Sequence, residues 1–198
     1  MKLSLGFYVK SAVCTIWFWI SGFQSSLVAC GGRVPVLYRG GTVKIGTRLV
    51  VRGRVARSEI GAAPDAQLKI GDRVFINQGS SIAASHSITI GDDTHIGDFV
   101  AVYDSNYHQV DPYHPIQVAP VVIGVNVWLG RGVIVLPGSN IGDHTVVAAG
   151  SVVRGNLPPR VLAAGNPAQV VRVLQVPVGW RRSDLKILSH HDFELPAG

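Results

Sequence analysis

Between Val121 and Val153 an aliphatic residue recurs at every sixth position: Ile123, Leu129, Val135, Ile141, Val147 and Val153. A helix buries apolar residues near every 3.6 positions and a half-buried strand near every second, so neither explains a period of six. Hexads are a signature of the parallel β-helix, in which three short strands and three corners close one triangular coil. The sixth-position residue then points inward and stacks on its equivalents in the coils above and below. Gly124, Gly130 and Gly142 directly follow three of these residues, and their small size suits a tight corner.

The same pattern runs upstream with interruptions. It starts weakly at Ile45 and Val51. Val55 to Gln67 breaks the phase, with Ile60 out of register and Ala62 to Ala66 reading as a turn. Ile70, Ile76, Ile82 and Ile88 are in phase. A slip of two residues then restarts the pattern at Ile90, Ile96 and Val102, which predicts a bulged corner near His86 and Ser87. Tyr103 to Pro120 carries no sixth-position pattern and reads as an excursion from the coil. After Arg154 the hexads stop, and Pro158 and Pro159 turn the chain away. The predicted fold is all-β: about five coils from Val43 to Val153. The expected divisions are an apolar helical segment with its connector over residues 1–40, a β-helix over 41–157 with an active-site loop at 103–120, and an extension and tail over 158–198. A short helix is expected between Arg181 and His191. The two end segments are expected to cap the open ends of the stack.

Ser11 to Cys30 carries no charge. It could span a membrane or act as a signal segment. It could lie in a membrane interface with Trp17, Phe18 and Trp19 at headgroup level. It could equally be a helix packed on the coil body or on a neighbouring subunit. Ser11, Thr15, Ser21, Gln24, Ser25 and Ser26 make a spanning helix poor.

Composition narrows the choices further. In 198 residues, 47% are hydrophobic, 15% are charged and 23 are Gly, which favours a folded, turn-rich chain over a disordered one. The formal net charge is +6, but Lys and Arg are scattered without a long run. That argues against nucleic acid and leaves an anionic membrane or small molecule as partner. Cys14 and Cys30 lack metal-ligand spacing and read as buried thiols.

A polar excursion from a regular coil is where chemistry is expected. His108 is the candidate, because a neutral imidazole can take a proton from a hydroxyl or amine that attacks an acyl group. Asp104, Asn106 and Asp111 lie close in sequence and could orient the ring or bind a substrate hydroxyl. The alternative is a loop histidine bonded to backbone. His86, His95 and His144 sit at coil corners and are expected to face solvent, and His114 could line the same loop. His190 and His191 are in the tail and show no partners for a metal. No nucleophile elbow, P-loop or dinucleotide fingerprint occurs.

Four segments carry a family resemblance: FINQGSSI at Phe75 to Ile82, DSNYHQVDP at Asp104 to Pro112, IGVNVWLG at Ile123 to Gly130, and AAGNPAQVVR at Ala163 to Arg172. The chain resembles the hexapeptide-repeat acyltransferases with a left-handed parallel β-helix. Within them it is similar to the maltose, galactoside and Nod-factor O-acetyltransferases and the capsular polysaccharide O-acetyltransferases. The resemblance implies a homotrimer, with acetyl-CoA as co-substrate in a groove between coils. The N-terminal segment lies outside the resemblance; the expected location is the cytoplasm, with peripheral membrane contact through the N-terminal helix left open. It implies no metal. His108 takes the place of the family's base, although Gln109 stands where many relatives have Pro. Trp128 takes the place of the tryptophan beside the pantetheine arm. Gly130, Arg131 and Ala149 fall where backbone groups hold the cofactor, and Arg154 and Arg172 where its phosphates run. Asn77 falls where a substrate-lining Asn is common; the maltose-type enzymes place theirs two residues later, at Gly79 here. The implied activity is O-acetyl transfer to a sugar, glycoside or polyhydroxylated small molecule. An N-acyltransferase on an amino sugar and a non-catalytic scaffold remain open. So does a zinc hydratase, which needs three His ligands at one site.

Overall fold

A computed structural model describes residues 5–23 and 27–182. The chain winds as a parallel β-solenoid, consistent with the left-handed coil, and each rung gives one strand to each of three faces. The first rung is β1 (Val28–Gly32), β2 (Val36–Arg39) and β3 (Thr42–Ile45). The second is β4 (Leu49–Gly53), β5 (Glu59–Ala62) and β6 (Gln67–Ile70), and the third β7 (Phe75–Ile76), β8 (Ser81–Ala84) and β9 (Ser87–Ile90). The fourth is β10 (His95–Ile96), β11 (Ala101–Tyr103) and β12 (Val121–Ile123), and the fifth β13 (Trp128–Leu129), β14 (Ile134–Val135) and β15 (Asn140–Ile141). The sixth is β16 (Val146–Val147), β17 (Val152–Val153) and β18 (Asn156–Leu157). β19 (Val161–Gly165) opens a seventh, and β20 (Ala168–Val173) turns back antiparallel on it to end the stack. Face one therefore runs β1-β4-β7-β10-β13-β16-β19-β20, face two β2 to β17, and face three β3 to β18.

The core is a set of vertical aliphatic columns. On face one Val51, Ile76, Ile96, Leu129, Val147 and Ala163 pair rung by rung. On face two the column is Ile60, Ile82, Val102, Val135 and Val153. Each of these side chains is 1% exposed or less. Each contributes about 1.5–3 kcal/mol of burial for the larger residues, while parallel ladders satisfy the backbone.

Three expectations need correction. The coil starts earlier than the repeat suggests, because the expected connector after residue 30 contributes β1 and β2, which pair with β4 and β5. Ile60 is in spatial register although out of sequence phase, since it stacks on Ile82. The slip of two residues arises because both Ile88 and Ile90 point inward from the four-residue strand β9.

At the N-terminus α1 (Leu5–Ile20) lies on β1. Cys14, Phe18 and the following Phe23 join the continuous core, so the helix covers the start of the stack. Phe18 is fully buried rather than available to a membrane. The Thr15 hydroxyl donates to the Ser11 carbonyl at 2.8 Å and accepts the Val28 N–H at 3.1 Å. Cys14 and Cys30 are joined as a disulfide, not free thiols, because α1 brings their Cα atoms to 6.1 Å. No helix among the described residues is long and apolar enough to cross a membrane. The helix expected at Arg181–His191 falls mostly outside the described residues, as do His190 and His191.

Candidate active site

The excursion leaves the edge between faces two and three, and its two ends are zipped together. Ser105 and Val118 form an antiparallel bridge. The Asn106 N–H donates to the Gln117 carbonyl at 3.1 Å, and the Asn106 Oδ1 accepts the Gln117 N–H at 3.0 Å. Asn106 therefore braces the loop through its N–H and its Oδ1. Asp104 is fully buried, and its carboxylate accepts the N–H groups of Ser85, His86 and Ser87 at 2.7, 2.7 and 2.6 Å. These charge-assisted bonds hold the corner of the rung below. That leaves no face of Asp104 for a substrate, contrary to the expectation from sequence.

Tyr107 pins the loop downward. Its phenol donates to the Ala83 carbonyl at 3.1 Å, and its ring meets Tyr103 edge-on at 5.7 Å. Its backbone takes a positive φ of 58°, which reverses the chain so that the next residue projects outward. That residue is His108. Its N–H donates to the Asn106 carbonyl at 2.7 Å, while the ring is exposed and makes no hydrogen bond among the described residues. At the loop tip Asp111 accepts the Tyr113 and His114 N–H groups at 2.8 and 3.1 Å and meets the His114 Nδ1 at 2.7 Å. The Tyr113 amide, with His114 beside it, holds the Asp111 carboxyl below the usual carboxylate range. Asp111 shapes the tip and orients His114, not His108.

A second group gathers on the edge between faces one and two. From the pairing of Ile76, Ile96, Leu129 and Val147, the residues after them stack along this edge. Asn77 and Gly130 share one column along the edge, two rungs apart, and Arg131 and Ala149 share the next column on adjacent rungs. Arg131 and Ala149 are exposed. The Arg131 guanidinium lies 5.1 Å from the Phe99 ring centroid. Gly130 is buried beneath the next rung, and a Cβ there would meet the Ala149 backbone N at 2.6 Å. Close approach of two rungs therefore accounts for this glycine. Asn77 turns its Oδ1 to the Gln78 N–H at 3.1 Å. Trp128 lies on face one beside this edge and is 46% exposed.

The expected residues thus divide between two edges. Trp128, Gly130, Arg131, Ala149 and Asn77 follow the first. The His108 loop and Arg154, which directly follows β17, follow the second. Arg172 is exposed on β20. Face two, which separates the edges within one chain, presents Ser81, Ala83, Ala101, Ile134 and Val152 outward. A groove of about 380 Å3 along the remaining edge, lined by Lys44, Lys69, Asp72 and Asp92, holds none of these residues.

Sequence reasoning missed the segment after β20. It returns across face one, where the Asn126 Oδ1 accepts the Arg182 N–H at 2.7 Å and its Nδ2 donates to the Trp180 carbonyl at 3.2 Å. The buried Arg182 guanidinium lies 4.9 Å from the Trp180 ring and 5.8 Å from that of Trp128. Two corner histidines also depart from expectation. His144 Nδ1 meets the Asn126 Nδ2 at 2.8 Å. The His95 ring is held between Phe75 and this segment, with Nε2 buried and unpartnered among the described residues. Burial, with Arg182 nearby, pushes the His95 pKa down to about 4. No group of three metal-ligating side chains occurs among the described residues.

Residues 120–155 match the model of the bacterial transferase hexapeptide, six repeats. Over this segment the chain is similar to the hexapeptide-repeat transferases. It is 41% identical over 113 residues to a protein of Escherichia coli K12 provisionally named an O-acetyl transferase of lipopolysaccharide biosynthesis, covering 51% of this chain and 58% of that one. It is 34% identical over 110 residues to the galactoside O-acetyltransferase of the same strain, covering 54% of each. The chain thus spans a little over half the length of these curated relatives. A hexapeptide-repeat-containing acetyltransferase of Vibrio cholerae, solved with acetyl coenzyme A, superposes with a TM-score of 0.55 at 25% identity, over 82% of this chain and 76% of that one.

Proposed function

We propose that this hexapeptide-repeat protein is an acetyl-CoA-dependent O-acetyltransferase acting on a hydroxyl of a sugar or glycoside. The observation that carries it is an unpartnered, exposed imidazole on a braced loop in this fold. The names of the relatives, and the acetyl coenzyme A held by the Vibrio cholerae protein, support the donor. The protein works as a homotrimer, and each site is shared by two copies. One copy supplies the His108 edge and the next the edge with Trp128, Arg131 and Ala149. On the upper rungs the outward residues of face two, Ala101, Ile134 and Val152, are apolar and suit a subunit contact.

His108 accepts the acceptor's hydroxyl proton as that oxygen attacks the thioester carbonyl. A backbone N–H at the rim takes the oxyanion. The tetrahedral intermediate collapses, the C–S bond breaks, and the proton held by His108 passes to the coenzyme A thiolate. Trp128 offers an apolar wall to the pantetheine arm. Arg131, Arg154 and Arg172 are exposed cations suited to the phosphates. Steady-state transfer from labelled acetyl-CoA to a panel of saccharides tests the assignment. His108→Ala is expected to lower kcat by at least about a hundredfold with acetyl-CoA binding retained. Undiminished transfer in that variant contradicts it, and transfer to amino sugars alone favours N-acylation.

A further inference from the structure

The outward side of α1 has no exposed polar side chain among those described. Val9 and Ile16 are each 56% exposed, Val13 59%, Ile20 73% and Trp19 74%. Helical geometry explains the separation. Cys14 and Phe18, four apart, face the coil, and Val9, Val13, Ile16 and Ile20 lie opposite. The disulfide to Cys30 and the Thr15–Val28 hydrogen bonds fix this rotation, so the helix does not roll to hide them.

Charge is asymmetric in the same part of the molecule. Half of the chain's eighteen Lys and Arg precede Glu59, its first acidic residue. Arg39, Lys44 and Arg48 are exposed on the first rung and the turn after it. The Arg39 guanidinium lies against Gly22, just past the end of α1, and a groove there is lined by Gly22, Arg39, Thr42 and Lys44. Arg39 and Lys44 therefore flank the apolar face, while Asp72 of the rung above lies against Thr47 and beside Arg48.

We propose that the outward face of α1 and the first-rung cations dock this protein peripherally on an anionic phospholipid surface. The helix lies in the interface, with Trp19 and Ile20 entering the acyl boundary and Arg39 and Lys44 meeting lipid phosphates. Its other face is buried against β1 and the core, so the helix lies along the surface rather than across the bilayer. A second copy is a poorer occupant, because a two-fold contact through this patch would set the cations of both copies against each other. The His108 loop leaves the fourth rung, three strand spacings or about 14 Å above the first, and stays clear of the surface. Docking goes beyond the acetyl-transfer proposal and does not depend on it.

Co-sedimentation of the full chain with vesicles reads docking without any turnover. Vesicles of phosphatidylcholine alone are compared with vesicles that also contain phosphatidylserine. The wild type is expected to bind the second kind at least about tenfold more tightly. Trp19→Ser with Ile20→Ser removes the binding, and both residues are exposed enough for the fold to persist. Arg39→Ser with Lys44→Ser weakens it severalfold, as does about 1 M salt, where the Debye length is about 3 Å. Equal binding to both vesicles overturns the role of the cations. Absence of binding overturns the proposal. So does a helix-face variant that still binds but sediments as a smaller assembly, since the face is then a subunit contact.

Discussion

Replacing Asp104 by Ala separates its structural role from a role in substrate binding. The carboxylate is fully buried and takes three backbone N–H groups at 2.6–2.7 Å. Each charge-assisted bond contributes about 1.5–3 kcal/mol net, and each stranded donor costs about 1–3 kcal/mol unless water reaches it. The corner from Ser85 to Ser87 is part-buried, so some water enters, and a total loss of about 3–5 kcal/mol is expected. Asp104→Asn keeps one acceptor oxygen but turns an amide donor toward a donor, and should cost about 2–3 kcal/mol. The Ala119 N–H donates to the Asp104 carbonyl at 2.9 Å, so the base of the His108 loop loosens with the corner. Urea unfolding gives the stability, and hydrogen exchange at Ser85, His86 and Ser87 gives the locality. A loss below about 1 kcal/mol with those amides still protected, alongside a raised acceptor KM, would refute the clamp and restore the substrate contact.

The His95 pKa of about 4 lies below the ordinary imidazole value of 6.5, so unfolded chains bind the extra proton between these limits. Stability is then full above pH 6.5 and falls as pH drops toward 4, by about 1–2 kcal/mol once partial exposure is allowed for. Melting of wild type and His95→Phe across this range checks it, since the variant should lose that dependence and an unchanged slope contradicts it. Gly130→Ala drives a Cβ into the Ala149 backbone at 2.6 Å, and should cost about 1–3 kcal/mol by thermal melting, whatever its effect on acetyl-CoA.

The fold was legible in Val121 to Val153 because rung five, from Leu129 to Val147, is three hexads long. Other rungs are not. Val28 to Leu49, Val51 to Ile76 and Ile96 to Leu129 all exceed eighteen residues. Pairing tolerates longer corners, and sequence phase does not record them. The first rung was hidden for this reason, and Ile60 looked out of place. At the site, the polar break and the exposed His108 were visible in sequence. The buried function of Asp104 was not, because the amides it serves lie 17 to 19 residues away. The return of Trp180 and Arg182 across face one carries no periodic signal, and it changed the setting of Trp128, His95 and His144 together.

The central claim is that one active site draws on two edges of two copies, with His108 as base. Mixing two inactive variants tests it directly: His108→Ala, and Ala149→Trp to block the opposite edge. If sites are shared in a trimer, random reassembly of equal amounts leaves one intact site in each mixed trimer and restores about a quarter of wild-type transfer. If the site lies within one chain, every copy carries a defect and the mixture stays as inactive as its components.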